Sequence, residues 1–496
     1  MKTDRHPTID PKPQKHSILG HTLFLVLLSC GLVSTQARTS IGPSPYSWHA
    51  IEISDTLTLY VKDQRVGTLF HRIEVDSSDA CVRVTKEVVV GHGGGGLTGV
   101  APAMSVTEIR EYEYTAALRR VFQELASPSG TTTWHLDRGS DSTWRLRTTA
   151  GGESTVREIS RVASSLRTTY DIQTAILDGT AEEGQTWVDS MFDVMSGRML
   201  VVRTRCIAVP GESTAAWEFV NIDNVMSREE RWKVDRRGRT MYMEVAPIFV
   251  ARREKCGREG GGDTAFADIT RIAESFTIPK ERLPRKNETI ALTFDSLAHL
   301  HESVRGMYAH QNGSHVLKAL ADTCLTAKSG TRTVKDSAYL RATAAVQANA
   351  KAVQDLATRL TRGRSDICDI TGALTDYMFT NIEKRAVATF SSALETLNAG
   401  FGDCGEHAVL LAALLRASGI PARVVYGLVF VGPQRGYMYH AWVQARGEKW
   451  VGADPALGVF PAWRGYVPLI IDDTGENTVH LANIIDRISI RYVPSP

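Results

Sequence analysis

The chain has 496 residues, too many for one ordinary core, and its 43% hydrophobic and 23% charged content is that of a globular protein. A formal net charge of +2 without a long basic run leaves no electrostatic footprint of a nucleic-acid binder, so no nucleic-acid partner is expected. The seven cysteines include no CxxC pair, which argues against a zinc ribbon or a redox dithiol.

Lys2, Arg5, Lys12 and Lys15 precede the apolar run "ILGHTLFLVLLSCGLV", Ile18 to Val33. The run is short for a bilayer span, which needs roughly 20 residues. A basic flank, a short apolar core and then "STQA" predict a secretory signal cleaved after Ala37. Two other readings stay open: a lipoprotein signal built on "LLSCG" around Cys30, and an uncleaved membrane anchor. All three place the rest of the chain outside the cytoplasm, in the periplasm or extracellular space, with residues 1–37 set to contact the membrane. With Cys30 in this leader and a free thiol at Cys404, an odd five cysteines remain, and no disulfide framework is expected.

Residues 45–280 read as a β-rich antiparallel domain. "LTLYVKDQRVGTLFHRIEV" places two apolar-alternating runs around a turn at Asp63-Gln64-Arg65, and "TTTWHLDRGSDSTWRLRTT" repeats the pattern around Gly139-Ser140-Asp141. Further short strands follow, which suggests a curled sheet or a sandwich. Gly91 to Gly96 lie in "GHGGGG", a loop without the GK[ST] ending that would cradle a phosphate. "IPKERLPRKNET" marks a boundary near residue 280, and the Ala-, Gln- and Lys-rich stretch beyond it predicts a helical linker over 281–364. His299, His301, His310 and His315 cluster there without strict metal-ligand spacing, so no metal site is assigned.

The chemistry concentrates in 365–496. In "NAGFGDCGEHAVLLAALLRASGIPARVVYG", apolar residues at Ala408, Leu411, Ala412 and Leu415 have helical spacing, and Gly419 and Pro421 stop the helix. Asp403-x-x-Glu406 forms a capping box, which starts the helix at Cys404. A thiol there faces the positive end of the helix dipole, a setting that lowers its pKa, and its backbone N–H is free to meet an oxyanion. Gly402 and Gly405 leave room for a substrate backbone. Glu406 reads as the cap rather than as a catalytic acid, and His407 as a packing residue. Downstream, "YMYHAWVQARGEKWVGADP" predicts a hairpin with His440 and Asp454 on its two arms, close enough to meet across the strands. A cysteine nucleophile needs such a base and a group to orient it. Trp442, Trp450, Tyr437 and Tyr439 read as core or cleft wall.

Taken together, "GDCGEHA…LLRASGIPARVVYG…HAWV…W…DP" resembles the transglutaminase-like core, a branch of the papain-like cysteine superfamily. The resemblance implies an α+β fold in which a nucleophile helix packs on an antiparallel sheet, after a mostly β N-terminal region. It implies Cys404 as nucleophile, His440 as general base and acid, and Asp454 as the orienter of the imidazole, with no cofactor and with a protein or peptide substrate. Family reactions include acyl transfer from glutamine to an amine, amide hydrolysis and peptide cleavage, and some members are non-catalytic scaffolds. Animal transglutaminases carry Trp after the cysteine, where this chain has Gly405, and their calcium loops are not recognisable here. The expected function is therefore an exported cysteine acyltransferase or amidohydrolase working through a thioester. A binding or scaffold protein and a cell-envelope cysteine peptidase are the alternatives. The sequence sets no oligomeric state.

Overall fold

A computed structural model describes residues 46–495, apart from 62, 91–103, 128–129, 140–142, 151, 196, 211–215, 224–228, 246–248, 254–276, 296–298, 326–336, 386–390, 474–480, 482–483 and 486. The expected leader over 1–37 and the "GHGGGG" loop lie outside these residues. Among the described residues no helix is long and apolar enough to cross a membrane. The fold is α+β, and it divides into two compact units.

The N-terminal unit is one fourteen-stranded antiparallel sheet. Its strands are β1 (Ile53–Val61), β2 (Gln64–Asp76), β3 (Cys81–Val90), β4 (Met104–Glu113), β5 (Leu118–Ser127), β6 (Gly130–Arg138), β7 (Trp144–Ala150) and β8 (Glu153–Ile159). Helix α1 (Arg167–Leu177) intervenes before β9 (Thr186–Asp193), β10 (Arg198–Ala208), β11 (Ala216–Asp223), β12 (Glu229–Asp235), β13 (Thr240–Val245) and β14 (Phe249–Arg252). The order β8 to β1, then β14 to β9, joins two meanders through the β1–β14 pair. Asp63, at φ 61°, makes the expected β1–β2 turn. The sheet curls on itself: Ile73, Val84 and Tyr112 share a core with Phe192 and Val194, and Arg110 Nη2 donates to the Phe192 carbonyl at 3.1 Å.

The C-terminal unit is built around a six-stranded sheet and one central helix. In chain order it contains β15 (Thr277–Ile278), β16 (Glu288–Phe294), α2 (Glu302–Arg305), β17 (Tyr308–Gln311), β18 (Ser314–Leu317), α3 (Lys351–Thr361), α4 (Ile367–Asn381), β19 (Glu383–Lys384), α5 (Ala393–Ala399), β20 (Phe401–Gly402) and α6 (Cys404–Ala417). The strands β21 (Ala422–Gly432), β22 (Gly436–Arg446), β23 (Trp450–Asp454), β24 (Val459–Ala462), β25 (Tyr466–Ile471) and β26 (Ile488–Pro494) follow. The sheet runs β24-β23-β22-β21-β25, with β15 also paired to β22. Every residue of α6 from Cys404 to Arg416 is buried, which a helix apolar on all sides requires of its surroundings. Helices α3, α4 and α5 pack on it, and β21 and β22 lie against it. Its Arg416 is buried but satisfied, donating to the carbonyls of Ala422 and Arg341 and pairing with Asp473 at 2.5 Å.

The segment 281–364 departs from the expected helical linker. It holds strands β16, β17 and β18, which with β26 form a second sheet, and among its described residues the helical elements are α2, α3 and one 3-10 turn. Tyr308 donates to the Pro468 carbonyl, tying this sheet to β25. The Ala- and Gln-rich stretch before α3 is held by tertiary hydrogen bonds instead of helical ones. Ala393 N–H donates to the Ala345 carbonyl and Leu394 N–H to Gln347 Oε1, while Ala345, Val346 and Ala348 are buried. Packing has overridden helix propensity there. His301 caps α2 through Ser303 N–H, and His310 and His315 face each other across the β17–β18 hairpin.

Candidate active site

The start of α6 is fixed by its capping box. Gly405 N–H donates to Asp403 Oδ1 at 2.7 Å, and Glu406 Oε2 accepts from Asp403 N–H at 3.1 Å. Glu406 Oε1 also accepts from Ser391 N–H at 3.0 Å, so this carboxylate clamps the entry to α5 as well. Cys404 takes the first helical position, with its sulfur accepting from the Ala441 N–H. Ala441 follows His440 on β22, so the thiol lies against the strand that carries the imidazole.

The β22–β23 hairpin supplies the second half. Val443 pairs with Ala453, which puts Asp454 across from Trp442 and diagonal to His440 on the same face. His440 Nε2 donates to Asp454 Oδ2 at 2.7 Å. Asp454 is saturated: Oδ2 also accepts from the Tyr466 hydroxyl at 2.8 Å, and Oδ1 accepts from the N–H groups of Ala456 and Leu457 at 3.0 and 2.9 Å. Burial alone would raise the Asp454 carboxyl, but His440, the Leu457 N–H and Tyr466 outweigh it and hold the pKa below the usual carboxylate range. With Nε2 on Asp454, Nδ1 is the other nitrogen of the ring.

Tyr466 is a member of this constellation that sequence reasoning missed. It sits on β25, and its "YVPLII" context reads only as a buried strand. It reaches Asp454 because β21 carries Gly427 between them. A Cβ on Gly427 would lie 2.0 Å from the Val467 carbonyl oxygen and 2.9 Å from the Trp442 ring. The Trp442 ring lies over this gap, stacked with His440 and edge-on to Tyr466.

The thiol departs from the expected low pKa. Burial pushes it well above the usual value, the carboxyl groups of Asp403, Asp454 and Glu406 add to the rise, and the Ala441 N–H only partly opposes it. Asp403 is itself raised well above the usual range by burial and by Glu406 beside it. Cys404 and Asp454 are 0% exposed and His440 1%, so all three groups are buried. His407 is packed, as expected, with its ring nitrogens 2.6 and 3.3 Å from the Asp403 and Ile382 carbonyl oxygens.

Residues 354–455 match the family model of the transglutaminase-like superfamily. This segment carries the likeness to a transglutaminase-like core. No curated protein sequence matches the chain. Among solved structures, the chain is similar to a candidate cysteine protease from Cytophaga hutchinsonii, at 18% identity over 44% of this chain and 81% of that one, with a TM-score of 0.29. It is also similar to the periplasmic domain of TgpA from Pseudomonas aeruginosa, at 15% identity over 36% of this chain and 94% of that one, with a TM-score of 0.21. A third likeness is to a candidate protease from Parabacteroides distasonis, at 10% identity over 75% and 63%, with a TM-score of 0.20.

Proposed function

We propose that the transglutaminase-like core is a cysteine acyltransferase or amidohydrolase that works through a thioester on Cys404. The observation that carries this reading is the Asp454–His440 pair, set beside a sulfur at a capped helix start. His440 Nδ1 takes the thiol proton as sulfur attacks a carboxamide or peptide carbonyl. The Cys404 backbone N–H, one of the orphan donors of the helix start, stabilises the oxyanion. The tetrahedral intermediate collapses, the C–N bond breaks, and the imidazolium returns its proton to the departing amine. Water or a second amine then attacks the thioester, again with His440 as base, and regenerates the thiol. Asp454 and Tyr466 keep the imidazole in the tautomer that accepts at Nδ1.

The disulfide between Cys324 and Cys368 supports an exported chain, because such bonds persist in oxidising compartments. A protein or peptide substrate outside the cytoplasm fits both points. A scaffold reading has one observation in its favour, the complete burial of all three groups. Mass spectrometry on a peptide library, treated with wild type or with Cys404→Ala, separates these readings. Peptides deamidated, joined to an amine or cleaved only by wild type identify the reaction. Identical products from the two proteins would establish the scaffold.

A further inference from the structure

Lys384 stands between the two halves of the site. On one side its backbone pairs with Gly402 in the parallel β19–β20 ribbon, and Arg385 N–H donates to the Gly402 carbonyl at 3.0 Å. Cys404 is two residues further on, which puts its Cα within about 12 Å of the Lys384 Cα. On the other side the Lys384 side chain lies over Phe379, with Nζ 3.7 Å from the ring centroid and donating to the Phe379 carbonyl at 2.8 Å. That ring presses on Gly458, where a Cβ would lie 2.8 Å from it. Gly458 ends the turn whose N–H groups at Ala456 and Leu457 hold Asp454. The ammonium is thus pinned between the strand leading to the thiol and the turn holding the carboxylate.

The position does not serve a structural ion pair. Asp454 already accepts four hydrogen bonds, none of them from Lys384. An ammonium has three N–H donors. Among the described residues only the Phe379 carbonyl accepts from this one. Lys384 is half-buried, and desolvation lowers its pKa despite the nearby charge of Asp454. The next residue, Arg385, adds a second cation stacked on Phe401, with the exposed Glu383 as its partner. A partly desolvated cation with donors to spare, beside a nucleophile, is an anion receptor.

We propose that Lys384 binds a carboxylate of the substrate, one that lies close to the carbonyl attacked by Cys404. The substrate class is then an acidic peptide, with the carboxylate either at its C-terminus or on an acidic side chain. The inference rests on Cys404 being the nucleophile. It assigns Lys384 a binding role and no part in proton transfer.

Two alkylating reagents of nearly equal size test it without a known substrate. Iodoacetate carries the carboxylate and iodoacetamide does not. The rate at which each labels Cys404 in the full chain is followed by peptide mass mapping. The iodoacetate-to-iodoacetamide ratio should exceed that of a free cysteine peptide, fall about fivefold in Lys384→Met, and return in Lys384→Arg. Labelling of Cys404 with an unchanged ratio in Lys384→Met overturns the carboxylate site and leaves the nucleophile standing. Failure of both reagents to label Cys404 removes the nucleophile and the inference with it. Protection by N-acetylated tripeptides then separates the sources. A free C-terminal acid protecting better than its amide points to a terminal carboxylate, and an amidated peptide with an internal aspartate protecting better points to a side chain. Equal protection by a neutral amidated peptide counts against both.

Discussion

Replacing Asp454 gives two outcomes that the geometry separates. In Asp454→Ala three buried donors, His440 Nε2, the Tyr466 hydroxyl and the Ala456 N–H, and the half-buried Leu457 N–H lose their acceptor at once. Each buried donor left unmade costs about 1–3 kcal/mol, so the three buried ones sum to about 3–9 kcal/mol, which rivals the whole stability of a domain. Asp454→Ala should therefore fail to fold, and it is no test of catalysis. Asp454→Asn keeps an oxygen for the two backbone N–H groups and turns its amide toward His440 and Tyr466. The imidazole Nε2 must then accept, its proton moves to Nδ1, and the nitrogen facing the sulfur can no longer take a proton. With a folded protein, iodoacetamide labelling of Cys404 at neutral pH should fall by at least about 100-fold. Urea unfolding followed by tryptophan fluorescence, with peptide mapping of the label, reads both quantities. If Asp454→Asn folds and labels as fast as wild type, the imidazole does not serve the thiol and the proposed triad fails.

Other substitutions probe the same frame. Tyr466→Phe removes one charge-assisted hydrogen bond and should cost about 1.5–3 kcal/mol in urea unfolding at neutral pH, where Asp454 is ionised. Because the Asp454 pKa is depressed, that loss should shrink as pH falls through the folded-state value, and a pH-independent loss would point to packing alone. Asp403 titrates in the opposite sense, since its raised pKa makes the folded state bind more protons. Its effect on stability should worsen as pH rises above the unfolded value of about 3.9. Asp403→Asn keeps the cap, and the difference from wild type should grow in its favour with pH; parallel profiles would show Asp403 to be unperturbed. Reducing Cys324–Cys368, which closes a separation of 44 residues, should cost about 2–4 kcal/mol, checked by unfolding with and without dithiothreitol.

How far the sequence could be read depended on how local each feature is. The capping box joins residues three apart and the His440–Asp454 pair residues fourteen apart, so turn and cap rules reach both. Tyr466 contributes through a contact that crosses the sheet over Gly427, and no local pattern marks it. Strands β16 and β18 were hidden because their neighbours are rich in helix formers, while pairing with β26 is non-local. The pairing of Cys324 with Cys368 could not be chosen from an odd set of cysteines. The thiol pKa inverted for a related reason: the helix position is local, but the burial comes from β21, β22, α3, α4 and α5 closing around α6.

That inversion bears on how the proposed triad would work. A helix start contributes about 0.3–1 kcal/mol to an anion, up to about 2 kcal/mol when partly buried. Removing a lone ion from water costs several kcal/mol, so burial wins and the resting sulfur is a neutral thiol. A free-standing thiolate would also sit in the field of the ionised Asp454, a charge of its own sign. In the proposed triad, negative charge on sulfur becomes tolerable only when His440 holds the proton, because the imidazolium is then paired with an already ionised Asp454. Proton transfer and attack are thereby tied together. The charge that forms leaves the sulfur at once for the substrate oxygen, where the Cys404 N–H at the α6 start can meet it.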